Sequence, residues 1–336
     1  MKKSDIWKSL LKTSSIEWLL ESNNPSVRFF TLRDILENRE GDSLTNDARR
    51  EIMNSDMVNR ILEKQNEDGS WGIPEDFYVR AKYKGTVWNI ILLAELGADG
   101  NDERIKKTAE FILSISQDKQ SGGFAYQGGN EGGYHSKVIP CLTGNMVFSL
   151  IRFGYIDDPG VQQGIEWITR YQRFDDDIEI APKGWPYDKF KNCYGKHTCH
   201  MGAVKALKAL AEIPANKRTK AVKSTINQGA EYLLKHHLYK RSHDLSQVIK
   251  PFWLRFGFPL MWNTDAMEML GLLVKLGYHD DRMQDAVDLM LSKRDEQGRW
   301  KMEKSYNNRL LVSFEKDGKS SKWMTLNALR VLKDIE

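Results

Sequence analysis

Cys193, Cys199 and His200 stand within the stretch NCYGKHTCH (192–200), and the third cysteine of the chain, Cys141, stands in IPCLTGN (139–145). Thiolate and imidazole are the ligands zinc takes in tetrahedral fours, at about 2.3 Å for sulfur and about 2.0–2.1 Å for nitrogen. Cys141, Cys193, Cys199 and His200 would make such a set, with His197 the alternative fourth ligand two positions from Cys199. The plainer reading is that free cysteines fill cores as small hydrophobes and histidines near helix ends sit at the surface. Three other residues could move protons. Histidine as a residue type suits proton transfer, and His243 has the Asp244 carboxylate beside it to fix its tautomer. Asp265 would be an acid if desolvation raised its pKa. Otherwise it is an ordinary carboxylate at a helix start, favoured by the macrodipole.

These residues lie in a chain of 336, 40% hydrophobic and 29% charged, which is the balance of a globular protein. Its formal charge of +4 is mild and the basic residues are scattered, which argues against a nucleic-acid partner. No run reaches the roughly 18 apolar residues of a membrane-spanning helix. The opening MKKSDIWKSLLKTSSIEWLL acquires acids early and reads as a helical lead-in over 1–20, not as a signal peptide. An odd cysteine count in so large a chain makes no disulfide framework and fits reduced thiols in the cytoplasm. Neither a phosphate-binding glycine loop nor a nucleotide G-x-G-x-x-G nor a nucleophile elbow occurs.

The elements that must position the candidates come in repeats. EKQNEDGSWG (63–72), SQDKQSGGFAYQGG (116–129), RYQRFDDDIEIAPKGWPYD (170–188) and SKRDEQGRWKME (292–303) are polar, glycine-bearing turns leading to Trp71, Phe124, Trp185 and Trp300. The period is about 57 residues, and one unit near HHLYKRSHDL (236–245) keeps its place without the signature. Before each turn runs an amphipathic segment such as RIKKTAEFILSIS. After it runs one that is apolar nearly all round, such as GTVWNIILLAELG. Alternating outer and inner helices at constant period predict an all-α stack of helical hairpins, open or closed.

QNEDGSWG matches the Q-x(2–5)-G-x-W turn of terpenoid cyclases, and QDKQSGGFAYQ resembles the related repeat of protein prenyltransferase β-subunits. The resemblance spans roughly residues 20–336. It implies an α/α toroid, a single domain of about six hairpins closed around a central cavity. The D-x-D-D motif that protonates polyenes in those cyclases is missing, so proton-initiated cyclisation is disfavoured. FDDDIEI (174–180) falls in a loop after an outer helix and reads as solvated charge, and GGNEGG (128–133) reads as flexible loop backbone.

In such a toroid the loops entering inner helices face the cavity mouth, which would bring all three cysteines to one rim. Helix N-termini there favour thiolate. Prenyltransferases resemble this in holding one rim zinc. Lanthipeptide cyclases bind zinc through a C-Y-G cysteine and a Cys-His pair, like CYG (193–195) and CHMG (199–202), which stand closer together here. The aromatic residues at inner-helix starts suit a hydrophobic ligand. The resulting expectation is a zinc-dependent transferase or cyclase acting on a hydrophobic or thiol-bearing small molecule. Its rivals are a binding scaffold stapled by structural zinc and a β-like subunit that requires a helical partner.

Overall fold

The computed structural model describes residues 13–38, 41–78, 82–176 and 178–335; the first part of the expected lead-in lies outside them. Six helices form an inner ring: α2 (Pro25–Phe30, continued by a wider turn over Thr31–Ile35), α5 (Thr86–Leu96), α7 (Pro140–Arg152), α10 (His200–Ala211), α12 (Ala266–Lys275) and α14 (Lys322–Asp334). Outside them lie α1 (Thr13–Leu19), α3 (Ser43–Asn54) with α4 (Asp56–Leu62), α6 (Glu103–Ile115), α8 (Pro159–Tyr171), α11 (Lys220–Lys235) and α13 (Gln284–Ser292). One short turn of helix, α9 (Lys191–Tyr194), stands before α10. Among the described residues, sheet is confined to three two-stranded ribbons. The protein is an α/α toroid.

Burial explains the two rings. On α5 every residue from Thr86 to Ala94 is buried, whereas α6 buries Ile105, Thr108, Ala109, Phe111 and Ile112 and turns its charges outward. Side-chain caps set the outer starts: Asp102, Asp158 and Thr219 accept from backbone N–H groups of α6, α8 and α11, each satisfying an orphan donor. The ring closes where α14 packs on α2. Arg330 reaches Asp34 at 2.6 Å, and Ser15 Oγ on α1 donates to the Gln297 carbonyl at 2.7 Å.

The repeated turns do one structural job. Trp71 and Trp300 are buried, and their indoles donate to Ile61 and Met290 of the preceding outer helices, both at 2.7 Å. The backbone N–H of Trp71, Phe124 and Trp300 donates to Thr86, Thr143 and Thr325 on the following inner helix, at 3.0, 2.9 and 3.0 Å. Gln65 and Gln117 bond the start of the next outer helix, at Arg104 and Gly160. Trp185 departs from this pattern: it is half-buried and stacks on His135 at 4.0 Å. The GGNEGG glycines are not slack loop, because Gly128–Gly129 and Gly132–Gly133 pair as a small hairpin.

Candidate functional site

Helices α7 and α10 approach until backbone meets backbone. A Cβ on Gly144 would stand 2.5 Å from the Lys205 carbonyl, so only glycine fits there. This contact brings together the starts of the two helices that carry cysteines: Cys141 in the first turn of α7 and Cys199 as the N-cap of α10. Between them the 193–199 segment folds back on itself. Cys199 N–H donates to the Cys193 carbonyl at 3.2 Å, and Tyr194 pairs with Thr198. The Cys193 and Cys199 thiols interact, and Cys141 lies beside the Tyr78 hydroxyl.

The electrostatics differ from thiol to thiol. The Cys193 hydrogen bond, then the N–H groups of Gly202 and Met201, hold Cys199 below the ordinary thiol range against the pull of burial. Cys193 is pushed up, by that same bond and by burial. Burial pushes Cys141 up to about 12. Cys193 first, and then the α10 N-terminus, make Cys199 the thiol of the group that ionises most readily.

His200 points into the protein. Its Nε2 lies 2.9 Å from the Leu238 carbonyl, which can only accept, so Nε2 carries the hydrogen. Burial drives its pKa down to about 3, so the ring is neutral and Nδ1 is a lone pair. That Nδ1 is buried and has no hydrogen-bond partner. A metal-bound imidazole usually donates its other nitrogen to a carbonyl or carboxylate in this way, so the chemistry of the donor set fits zinc. The side chains are not gathered to coordination: among the described residues, no three His, Cys, Asp or Glu side chains are grouped as metal ligands. His197 is exposed and bonds Asp176 at 3.0 Å.

Beside Cys193 opens a cleft lined by Tyr78, Tyr126, Ile139 and Phe190. Tyr78 stacks on Trp88 at 4.9 Å, and Tyr126 meets Phe190 edge-on at 6.0 Å.

The central cavity is a separate space of about 490 Å³. The loop entering α12 fills its mouth at the N-terminal ends of the inner helices. Leu260 and Met261 are buried there, Asn145 donates to the Met261 carbonyl at 3.4 Å, and Phe258 stacks on Trp323 at 4.0 Å. The cavity runs instead from Phe258, Asp265 and Trp323 to the charged C-terminal ends of the inner helices, where Arg152, Lys275 and Arg330 line it. The cavity wall is thus mixed, charged at one end and apolar at the other.

Asp265 lies at the closed end. It caps α12 by accepting from Glu268 N–H at 2.9 Å and also accepts from Gly257 N–H at 3.0 Å. Burial pushes its pKa up to about 6 despite Lys304 at 3.9 Å. His243 and Asp244 are not on the cavity wall. Lys240–Arg241 and Asp244–Val248 form a ribbon, with His243 exposed at its tip and Asp244 bonded to Ser246 and Gln247.

Two features escaped the sequence reading. Asp176 of the acidic loop is tied down by Ser242, His197 and Lys235; these bonds, with His236 nearby, outweigh burial and hold it at about 2. Lys205 is fully buried and donates to both oxygens of Glu268 at 2.8 Å, while Lys208 bridges Glu268 and Glu95.

No protein-family model matches the sequence, and no curated protein matches it. Solved structures of similar chain path include the type II terpene cyclase MstE from Scytonema in complex with geranylgeranyl dihydroxybenzoate, at 14% identity and a TM-score of 0.42, covering 96% of this chain and 99% of that one. A family 76 glycoside hydrolase from a bovine Bacteroides thetaiotaomicron strain shares 13% identity at a TM-score of 0.45, covering 93% and 67%. A possible member of the GH105 family from Salmonella enterica shares 12% at 0.41, covering 98% and 93%. No residue role follows from likenesses this distant.

Proposed function

We propose that the protein is a zinc-dependent transferase or cyclase that works at the rim of the ring on a hydrophobic or thiol-bearing small molecule. Cys141, Cys193, Cys199 and His200 would hold the metal, and the cleft of Tyr78, Tyr126, Ile139 and Phe190 would hold the substrate. The observation that carries this reading is the buried Nδ1 of His200 left without a partner, on the helix that Cys199 caps and that packs against the α7 of Cys141, with Cys193 lining the cleft. Zinc there would keep a substrate thiol ionised or polarise a leaving group. The aromatic cleft contributes apolar area and orients the ligand. His243, Asp244 and Asp265 do not line that cleft. The same reading groups the chain with the terpenoid cyclase and prenyltransferase toroids. Its support is the recurring turn in which Gln65 and Trp71, and again Gln117 and Phe124, tie neighbouring helices together.

Protein purified without a histidine tag should carry about one zinc per chain. X-ray absorption on it distinguishes the enzyme from the scaffold. An oxygen neighbour marks an exchangeable position, while a closed shell of three sulfurs and one nitrogen marks a structural staple. Metal-free protein whose three cysteines all react freely with a thiol reagent would overturn both.

A further inference from the structure

The chain between Cys193 and Cys199 returns on itself in a way that sets the two cysteines opposite each other. Tyr194 and Thr198 form an antiparallel bridge. The next pair outward is Cys193 and Cys199, joined by the 3.2 Å bond from Cys199 N–H to the Cys193 carbonyl. Opposed residues of a hydrogen-bonded antiparallel pair have Cα atoms about 5.5 Å apart, and their side chains leave the same face. A disulfide spans Cα separations of about 4.4–6.8 Å, so the backbone pairing meets the distance condition for a bridge. The two thiols already interact, and both are free.

The return is held by groups other than the cysteines. The buried Arg173 donates through Nη1 to the carbonyls of Tyr194 and Gly195, at 2.8 and 3.0 Å. Ile178 N–H donates to the Lys196 carbonyl at 3.1 Å, and Thr198 N–H to the Asp175 carbonyl at 3.3 Å. A Cβ at Gly195 would stand 2.7 Å from the Lys191 carbonyl, so glycine lets the chain pass there. The fold therefore supplies the geometry of a closed loop whether or not the sulfurs are joined. Both cysteines are partly exposed, and Cys193 lines the cleft, where a small reagent reaches it. Cys141 belongs to another segment, the first turn of α7.

We propose that Cys193 and Cys199 form a reversible dithiol–disulfide switch whose oxidant is a low-molecular-weight disulfide. One protein thiolate attacks a sulfur of that disulfide, forming a mixed disulfide and expelling a small thiolate. The second cysteine attacks the protein sulfur of the mixed disulfide and expels the other small thiolate. One protein S–S bond forms, the S–S bond of the oxidant breaks, and the two protein thiol protons leave on the two small thiols. Where glutathione keeps thiols reduced, disulfides of this kind are transient and redox-sensing. A disulfide offers no thiolate, so closure withdraws two of the four candidate zinc ligands. That consequence rests on the zinc reading; the disulfide itself does not.

The test treats the protein, stripped of metal by a chelator, with oxidised glutathione, then alkylates it and digests it with trypsin without reduction. Trypsin cuts after Lys191, Lys196 and Lys205, so the switch should appear as peptide 192–196 linked to peptide 197–205. Dithiothreitol should separate the two, and Cys141, in peptide 138–152, should carry the alkyl group. The folded protein should hold the link at a reduced-to-oxidised glutathione ratio at least about tenfold higher than urea-unfolded protein does. Cys193→Ser should keep glutathione on Cys199 as a lasting mixed disulfide, and Cys193→Ala gives the same reading should serine disturb the segment. Lasting mixed disulfides in the native protein, a link to Cys141, or equal linkage folded and unfolded would each overturn the proposal. On protein that carries zinc, closure should release the metal in step with the linked pair. Linked peptides in a protein that never holds zinc support the switch and end the zinc reading, whereas zinc binding without linked peptides does the reverse.

Discussion

The indole of Trp71 donates to the carbonyl of Ile61 at 2.7 Å, and Trp300 makes the same bond to Met290 in the turn that leads to α14. Each bond pins the turn after an outer helix to the end of that helix, and each indole is buried. Trp71→Ala removes the largest side chain at the junction and orphans a carbonyl as well. It should cost about 3–5 kcal/mol. Trp185 is half-buried and stacks on a loop histidine, so Trp185→Ala should cost at most about half as much. Urea unfolding of the two variants checks the order; equal losses would mean the turns do not staple the ring.

Buried carboxylates of opposite tendency should give the stability curve two separate acid steps. Asp265, raised to about 6 from 3.8 by burial, binds a proton more readily folded than unfolded. Its contribution is therefore complete below about pH 4 and lost as pH rises through 6, by up to about 3 kcal/mol. Asp34 is lowered to about 2 by Arg330 and Arg33 against burial. Its contribution is present above about pH 4 and lost as pH falls toward 2. Asp265→Asn removes the first step and leaves the second. The stability of the native protein relative to Asp265→Asn should fall between pH 4 and 6 and then level off. A gap that stays constant over that range would show that Asp265 titrates like an exposed carboxylate.

The ring was legible because burial differs along the chain in ways that hydrophobic pattern records. GTVWNIILLAELG has no polar face and becomes the buried α5, while RIKKTAEFILSIS keeps one and becomes the outer α6. The placing of Cys141 and Cys199 at the starts of adjacent inner helices also followed. What holds them there did not follow. Gly144 in IPCLTGN looks like any small residue in an apolar helix, and only the fold reveals Lys205 backbone against it. The acidic FDDDIEI loop misled for a similar reason: Ser242, which anchors Asp176, lies 66 positions further on. His243 and Asp244 are neighbours in sequence, but a ribbon carries them to the surface. The plugged mouth was hidden too, because aromatics that line a cavity and aromatics that fill it have the same composition.

Glu268 holds two buried lysines, and this makes the α10–α12 seam unusually sensitive to charge. Lys205 is fully buried and its bonds to Glu268 are its compensation. Glu268→Gln strands that charge and should cost about 3–5 kcal/mol. Lys205→Met leaves Glu95 and Glu268 sharing Lys208 alone, and should cost a similar amount. Made together, the two substitutions restore one lysine to one carboxylate. The double variant should be more stable than either single one, with a coupling of about 2 kcal/mol or more. Additive losses in denaturant unfolding would mean that the lysines find water or other partners.

The two histidines of NCYGKHTCH should separate cleanly on metal binding. Only one of them has a buried nitrogen to give. His200 Nδ1 is enclosed and unpaired while Nε2 is committed to Leu238, whereas the exposed His197 already bonds Asp176. Zinc affinity in such a site is also folding energy. His200→Ala should therefore lower both zinc content and melting temperature, and His197→Ala should leave the metal in place. Cys199→Ser should release zinc, since it removes the thiolate that the α10 N-terminus favours. A chelator should lower the melting temperature of the native protein and of His197→Ala alike, while leaving that of Cys199→Ser unmoved. Retention of zinc by His200→Ala with loss from His197→Ala would reverse the assignment of the fourth ligand. Chelator indifference in all of them would remove zinc from the site altogether.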